Sequence, residues 1–335
     1  MEWINRFPFW HTIISRLRRT SQGAGLACIA AYEEGFAVTH VLHRGDAEKP
    51  LVDVCSFVVD SGSKNLNALA RFINSSSLAT VHFAGLMFPT SYMLFPAEAP
   101  QVPEAEVNNA IRWRIKDRLD FPIQEAVVDV FNIPGSRMAT GDQQMVYVVA
   151  AREMMVRSCA EPFQRLKLDL QRIDILELAL LNLMALTEDD ADGMGLLFLD
   201  RSSGVVLAGR NGQMFIARPI DYGLNQLLES VNGRADVSAN ELGNSFVLDA
   251  IALEVQRTLD YYESHFSQPP AVALHVVPMP VPITGLLEAL GDKLGMRVRN
   301  FAVRDLFEFA VTVDDADVAR CLPAIGAALY RGGVA

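Results

Sequence analysis

The chain has 335 residues, half of them hydrophobic and 21% charged, with a formal net charge of -11. That length supports two domains, or one large one with a well-buried core, and the composition is ordinary for a soluble globular protein. The acidic balance argues against a broad nucleic-acid surface, and no apolar run approaches the roughly 18 residues of a membrane-spanning helix.

The first 20 residues, "MEWINRFPFWHTIISRLRRT", are a different material, with a local charge of +3 against -14 for the remainder. Trp3, Phe7, Trp10, Ile13, Ile14 and Leu17 recur at three- and four-residue steps, one apolar face of a helix that starts at about Pro8. The broken apolar run and the lack of a small-residue cleavage site argue against a signal peptide. Trp3, Phe7 and Trp10, with Arg16, Arg18 and Arg19, suit a membrane surface or a partner's groove. Packing back onto the same molecule stays equally open.

"GLACIAAYEEGFAVTHVLH" (residues 25–43) reads as strand, turn at Glu33-Glu34-Gly35, and strand, and "PLVDVCSFVVD" as a third strand. His40 and His43 in that second strand fall on opposite faces, which argues against a shared metal. Leu66, Leu69 and Ile73 carry helical spacing, and "ATVHFAG" and "SYMLFPAE" are two more strands. Val107, Ile111, Ile115 and Leu119 predict an amphipathic helix stopped by Phe121-Pro122. "AVVDVFNIPG", "QMVYVVAA" and "LDLQRIDI" are strands, with a helix over 152–167. Cys28, Cys55, Cys159 and Cys321 form no CxxC pair and read as free thiols rather than a disulfide framework or a zinc site.

"TEDDADGMG" (residues 187–195) is acidic, polar and glycine-bearing, the best interdomain boundary. After it "GLLFLD-RSSG-VVLAG-RNG-QMFIARPI" repeats the logic of the opening: strand, tight turn, strand, return. Leu248, Ile251, Val255, Leu259, Tyr262 and Phe266 then trace a long helix, "AVALHVV" a buried strand, "ITGLLEALGDKLG" a helix and "MRVRNF" a strand. "CLPAIGAALYRG" reads as a short terminal helix. The division expected is a basic segment 1–22, a first domain 23–190 with an inserted subdomain, a second domain 191–302, and a tail 303–335 returning to the first. Two halves that each open with a hairpin make an actin-like (ribonuclease H-like) α/β plan of mixed sheets flanked by helices.

Three stretches resemble the PilM family of type IV pilus assembly proteins, most closely its MSHA-pilus branch, MshI. They are "IRWRIKDRLDFPIQEAVVDVFNIPG" (111–135), "VYVVAAREMMVRSCAEPFQRLKLDLQRIDILELALLNL" (146–183) and "LEVQRTLDYYESHF" (253–266). The resemblance implies the actin-like ATPase fold and a cytoplasmic protein peripheral at the inner membrane. It also implies a place in a pilus assembly platform, docking the cytoplasmic tail of a single-pass PilN-like membrane protein. Trp113 and Phe121 are candidates to line the partner's groove. The plainer reading packs Trp113 on the helix flank and Phe121 in the core, with Arg112, Arg114, Lys116 and Arg118 as a solvated face.

ATP-binding members of that family open with a strand into Asp-Ile-Gly-Ser-Ser, where bare backbone amides approach the phosphates. Here the first turn carries Glu33 and Glu34, which repel a triphosphate. The second keeps Asp200 but sets Arg201 and Ser202 where the family has isoleucine and glycine. The third, Ser-Gly-Gly-Gly around the adenosine, is "HVVPMPVPITG", whose Pro278, Pro280 and Pro282 offer no N–H. The expectation is a non-catalytic scaffold with no cofactor and no metal, Asp200, Ser202 and Ser203 being a relic loop. The alternatives are an ATP-Mg-binding protein or ATPase of the same machinery, or a GspL-like secretion component.

Overall fold

In the computed structural model, which describes residues 25–45, 48–60, 66–135 and 144–329, the first apolar stretch is β1 (Leu26–Tyr32). It is buried along five successive residues, as a central strand covered on both faces must be. β2 (Gly35–Leu42) and β3 (Leu51–Val59) follow antiparallel, α1 (Asn67–Ser75) lies on one face, and β4 (His82–Met87) runs parallel to β1. Leu69 and Ile73 of α1 pack with Ala27, Ile29, Phe36 and Val38.

The chain then leaves this sheet. β5 (Tyr92–Glu98), α2 (Glu104–Ile115), β6 (Ala126–Asn132) and β7 (Met145–Arg152) build a separate three-stranded antiparallel sheet, order β5-β7-β6. Ile111 and Ile115 of α2 cover one face with Phe95, Val128 and Val148. The other face packs on α3 (Glu153–Leu166) through Val156 and Ala160. α2 ends four residues earlier than its apolar spacing predicts. Lys116–Arg118 tighten into a 3₁₀ turn and Leu119 is extended, consistent with the approach to Pro122. β8 (Asp169–Ile175) returns beside β4, and α4 (Leu176–Met184) follows.

The second half repeats the first. β9 (Met194–Leu199), β10 (Gly204–Arg210) and β11 (Gln213–Ile220) form the antiparallel run, followed by α5 (Leu224–Ser230), α6 (Ala239–Gly243) and α7 (Phe246–Phe266). β12 (Leu274–Val276), α8 (Leu286–Leu294) and β13 (Val298–Asn300) add the two parallel strands. Leu248, Ile251, Val255, Leu259 and Tyr262 of α7 are buried, and Ser245 caps its first turn through the Leu248 amide. The stretch 187–195 is tied down rather than slack: Asp190 accepts from the Gly212 amide at 2.7 Å, and Asp189 from His275 and Arg299 at 2.8 and 3.1 Å.

α9 (Val303–Leu306) leads to β14 (Glu308–Phe309), which joins the outer edge of β3, and to α10 (Asp315–Ala328). α10 is longer than the short helix read from Cys321 onward. Asp314 caps it by accepting from the Asp317 amide at 2.8 Å, and Pro323 sits inside it. α10 lies against α4 and the first sheet, so the largest buried cluster joins the inner faces of both sheets.

Candidate functional site

β1 and β9 occupy the same place in their sheets, and the turns that follow them come together where the halves meet. The first turn is minimal. Tyr32 pairs with Gly35, which leaves only Glu33 and Glu34 between the strands, and the Asp60 amide donates to the Glu34 carbonyl at 3.0 Å. The Tyr32 hydroxyl donates to the Arg320 carbonyl of α10 at 2.9 Å; burial first, then the Asp200 charge, holds its pKa well above the usual value.

The second turn spans Asp200–Ser203 and is closed by the Asp200 amide donating to the Ser203 carbonyl at 2.8 Å. The loop carbonyls then take the first donors of α5, Leu224 to Asp200 and Asn225 to Arg201, both at 2.8 Å. Gly223 makes this close approach possible, since a Cβ there would overlap the Asp200 carbonyl and the Ser203 amide. Burial raises the Asp200 carboxyl above its ordinary range; the Arg201 amide and guanidinium oppose this, while Glu34 and Glu33 add to it. Arg201 reaches across the cleft to Glu34 at 2.6 Å. The two turns are joined by an ion pair.

The third segment leaves β12 with the Val277 amide still donating to Leu197, and then runs through Pro278, Pro280 and Pro282. A cavity of about 360 Å³ opens beyond the ends of β12 and β13, lined by Met279, Ile283, Leu287, Phe301, Val303 and Val318. Arg304, Asp305 and Asp315 are at its edge.

The remaining sequence candidates divide. Trp113 stands on α2 with 74% of its surface exposed, so it does not pack on the helix flank. Phe121 is buried with Phe95 and Ile115, and the Arg152 guanidinium lies 4.7 Å from its ring centroid; it is core, not surface. Arg112 is a half-buried strut rather than part of a solvated face, donating to the Ile123 and Ala126 carbonyls at 2.7 Å. Trp3, Phe7, Trp10, Arg16, Arg18 and Arg19 lie outside the described residues. Ser202 is exposed and Ser203 half-buried beside Asp200, the one group of sequence candidates that falls together.

One buried site escaped the sequence. Glu177, at the start of α4, accepts from the Tyr92 hydroxyl at 2.5 Å, and that hydroxyl accepts from the Leu176 amide at 3.2 Å. Burial pushes the Glu177 carboxyl up to about 7, with the Tyr92 hydrogen bond working against it. This dyad fixes the start of the small sheet to α4. A glutamate in the first turn of a helix looks like an ordinary dipole partner, so only its fold position marks it out.

No family model matches the chain, and no curated protein does. Among solved structures, one from a "PilM-PilN type IV pilus biogenesis complex" superposes with a TM-score of 0.70 at 17% identity, over 93% of this chain and 98% of that one. The fold is actin-like. Further similarity extends to a Bacteroides thetaiotaomicron protein with an actin-like ATPase fold (TM-score 0.48, 8% identity, 93% and 99% covered). It extends also to the cytoplasmic domain of EpsL, an inner membrane component of the Vibrio cholerae type II secretion system (0.46, 11%, 90% and 94%).

Proposed function

We propose that this chain is a non-catalytic scaffold of a type IV pilus assembly platform, of the MSHA-like kind, docking the cytoplasmic tail of a PilN-like inner-membrane protein. The observation that carries the reading is the shape shared with the PilM–PilN complex structure over nearly the whole of both chains. The three PilM-like stretches of sequence add support, since two of them fall on α2, β6 and the run from β7 to α4, around the small sheet. In this reading the exposed Trp113 on α2 is a partner contact, and the protein sits in the cytoplasm, peripheral at the inner membrane. Residues 23–190 and 191–302 act as the two domains, with 303–335 belonging to the first.

We further infer that the cleft takes no ATP-Mg. A triphosphate lying between the two turns would meet Glu33, Glu34 and Asp200, and Arg201 there is already paired with Glu34. The first two donors of α5 are already given to the loop carbonyls, and Pro278, Pro280 and Pro282 of the third segment have no amide to offer. Calorimetry tests both halves of the proposal. A peptide of the partner's cytoplasmic tail should bind and ATP with magnesium should give no saturable heat. Tight ATP binding sinks the non-nucleotide reading and returns Asp200, Ser202 and Ser203 to a phosphate loop. A silent peptide sinks the docking role.

A further inference from the structure

The cavity beyond β12 and β13 sits where open α/β sheets commonly hold ligands, outside the carboxyl ends of parallel strands. Its chemistry is one-sided. The walls are mostly apolar, with Asn300 the one uncharged polar side chain among them, and the amides of Val277, Phe301 and Val303 are already engaged by Leu197, Val276 and Phe301. The proline loop supplies no donors at Pro278 or Pro282. The one cation at the edge, Arg304, is spent on the Val313 carbonyl and Asp315, at 2.7 and 2.8 Å, and stacks on Phe309. Across residues 303–320 five carboxylates stand against Arg304 and Arg320, which pair with Asp315 and Asp317, and Arg44 meets Glu308, so the edge keeps a net acidic balance.

Such a site rejects anions and suits an apolar side chain carried by a basic segment. The chain contains one. Residues 1–20 hold Trp3, Phe7 and Trp10 with a charge of +3, opposite in sign to the body. The 24 residues ahead of Gly25 can span about 80 Å when extended, against a body about 50 Å across, so reach is no obstacle. We propose that this cavity is the docking site of the chain's own first 20 residues, one aromatic side chain filling it while the arginines meet the carboxylates of residues 305–317. Attachment in the same chain raises the effective concentration and makes a modest contact sufficient.

Tryptophan supplies the test, because the chain has three and only Trp113 lies in the body. In full-length protein carrying Trp113→Phe, emission then reports Trp3 and Trp10 alone. It should be blue-shifted and severalfold less quenched by acrylamide than the free peptide of residues 1–20. Asp305→Lys, at an exposed position, and separately Leu287→Lys should return both signals to the free-peptide values. Far-UV circular dichroism identifies a variant that has unfolded, and Asp305→Lys carries the test alone if Leu287→Lys does. Free-peptide emission in the parent, or shielding that survives Asp305→Lys in the folded protein, overturns the proposal. So does shielding that rises with protein concentration, which assigns the segment to a second copy. Shielding that requires phosphatidylglycerol vesicles assigns it to a membrane and overturns it equally.

Discussion

The two sheets follow one plan and are joined where they differ most. Both run in the order third-second-first-fourth-fifth strand, β3-β2-β1-β4-β8 against β11-β10-β9-β12-β13, with the second strand antiparallel to its neighbours. The first carries the small sheet as an insertion, whereas the second carries α5 and α6 ahead of its long helix. At the cleft the first half presents a two-residue acidic turn, and the second a four-residue loop pinned from behind by α5. The repeated scaffold tolerates this because the strands are set by apolar burial, while turn chemistry is a separate choice. The join then rests on packing of α4 and α10 between the sheets, and on a few polar contacts such as Tyr147 to the Phe215 carbonyl at 3.2 Å.

Packing should give the largest effect. Gly326 of α10 lies so close to Ala179 of α4 that a Cβ there would overlap the Ala179 carbonyl, and Asn182 donates to the Gly326 carbonyl at 3.0 Å. Gly326→Leu should push the helices apart and cost about 3 kcal/mol of unfolding free energy, measured by urea titration. Leu253→Ala, on the outward side of α7 and 49% exposed, should stay within about 0.5 kcal/mol. If both variants unfold alike, the two covering helices do not differ as described.

The next effect comes from Glu177, whose carboxyl is buried in the first half. Its folded-state pKa of about 7 lies above the unfolded value of 4.5. Between those values the native state holds a proton that the unfolded chain has lost, so stability falls as pH rises from about 4.5 to 7 and then levels. The loss is on the order of 3 kcal/mol, at about 1.4 kcal/mol per pH unit over that interval. Asp174 adds to the upward pressure on the group, and the Tyr92 hydrogen bond opposes it. Glu177→Gln keeps an acceptor for Tyr92 and should flatten that part of the profile. Denaturant midpoints at pH 5, 6, 7 and 8 would check it; an unchanged slope removes Glu177 as its source.

The sequence made some of this legible and hid the rest for physical reasons. Periodicity reveals what one element buries, so the two hairpins, α7 and the α2 stripe could be read directly. It says nothing of which strand pairs with which, so nothing told that β5, β6 and β7 form a sheet of their own. Trp113 is two positions from Ile111 and from Ile115, and about 200° of helix rotation turns it away from the buried stripe. That spacing already argued for exposure. The acidic run at 188–190 resembles a linker in composition, although Asp189 and Asp190 work as acceptors for the second half. "DADVA" is small and polar and carries no apolar stripe, yet Asp314 and Asp317 mark the start of α10. Glu34 and Arg201 are 167 residues apart, and only the fold brings them together.

That ion pair carries the smallest expected effect and the most specific one. Both side chains are partly solvated, 56% exposed for Arg201 and 31% for Glu34, so removing the pair by Arg201→Ala should cost about 0.5 kcal/mol. Arg201→Glu should cost more, about 1 kcal/mol, because it sets another carboxylate among Glu33, Glu34 and Asp200. Glu34→Arg combined with Arg201→Glu rebuilds the pair in reverse and should recover most of that loss, which a double-mutant cycle isolates from the separate effects of each substitution. At 1 M salt, where screening acts within about 3 Å, the difference between Arg201→Glu and Arg201→Ala should shrink. A double variant no more stable than Arg201→Glu alone would mean that the turns do not touch in solution. The halves would then be held by α4, α10 and the remaining polar contacts such as Tyr147 to Phe215, and the space between the turns would be open to a ligand.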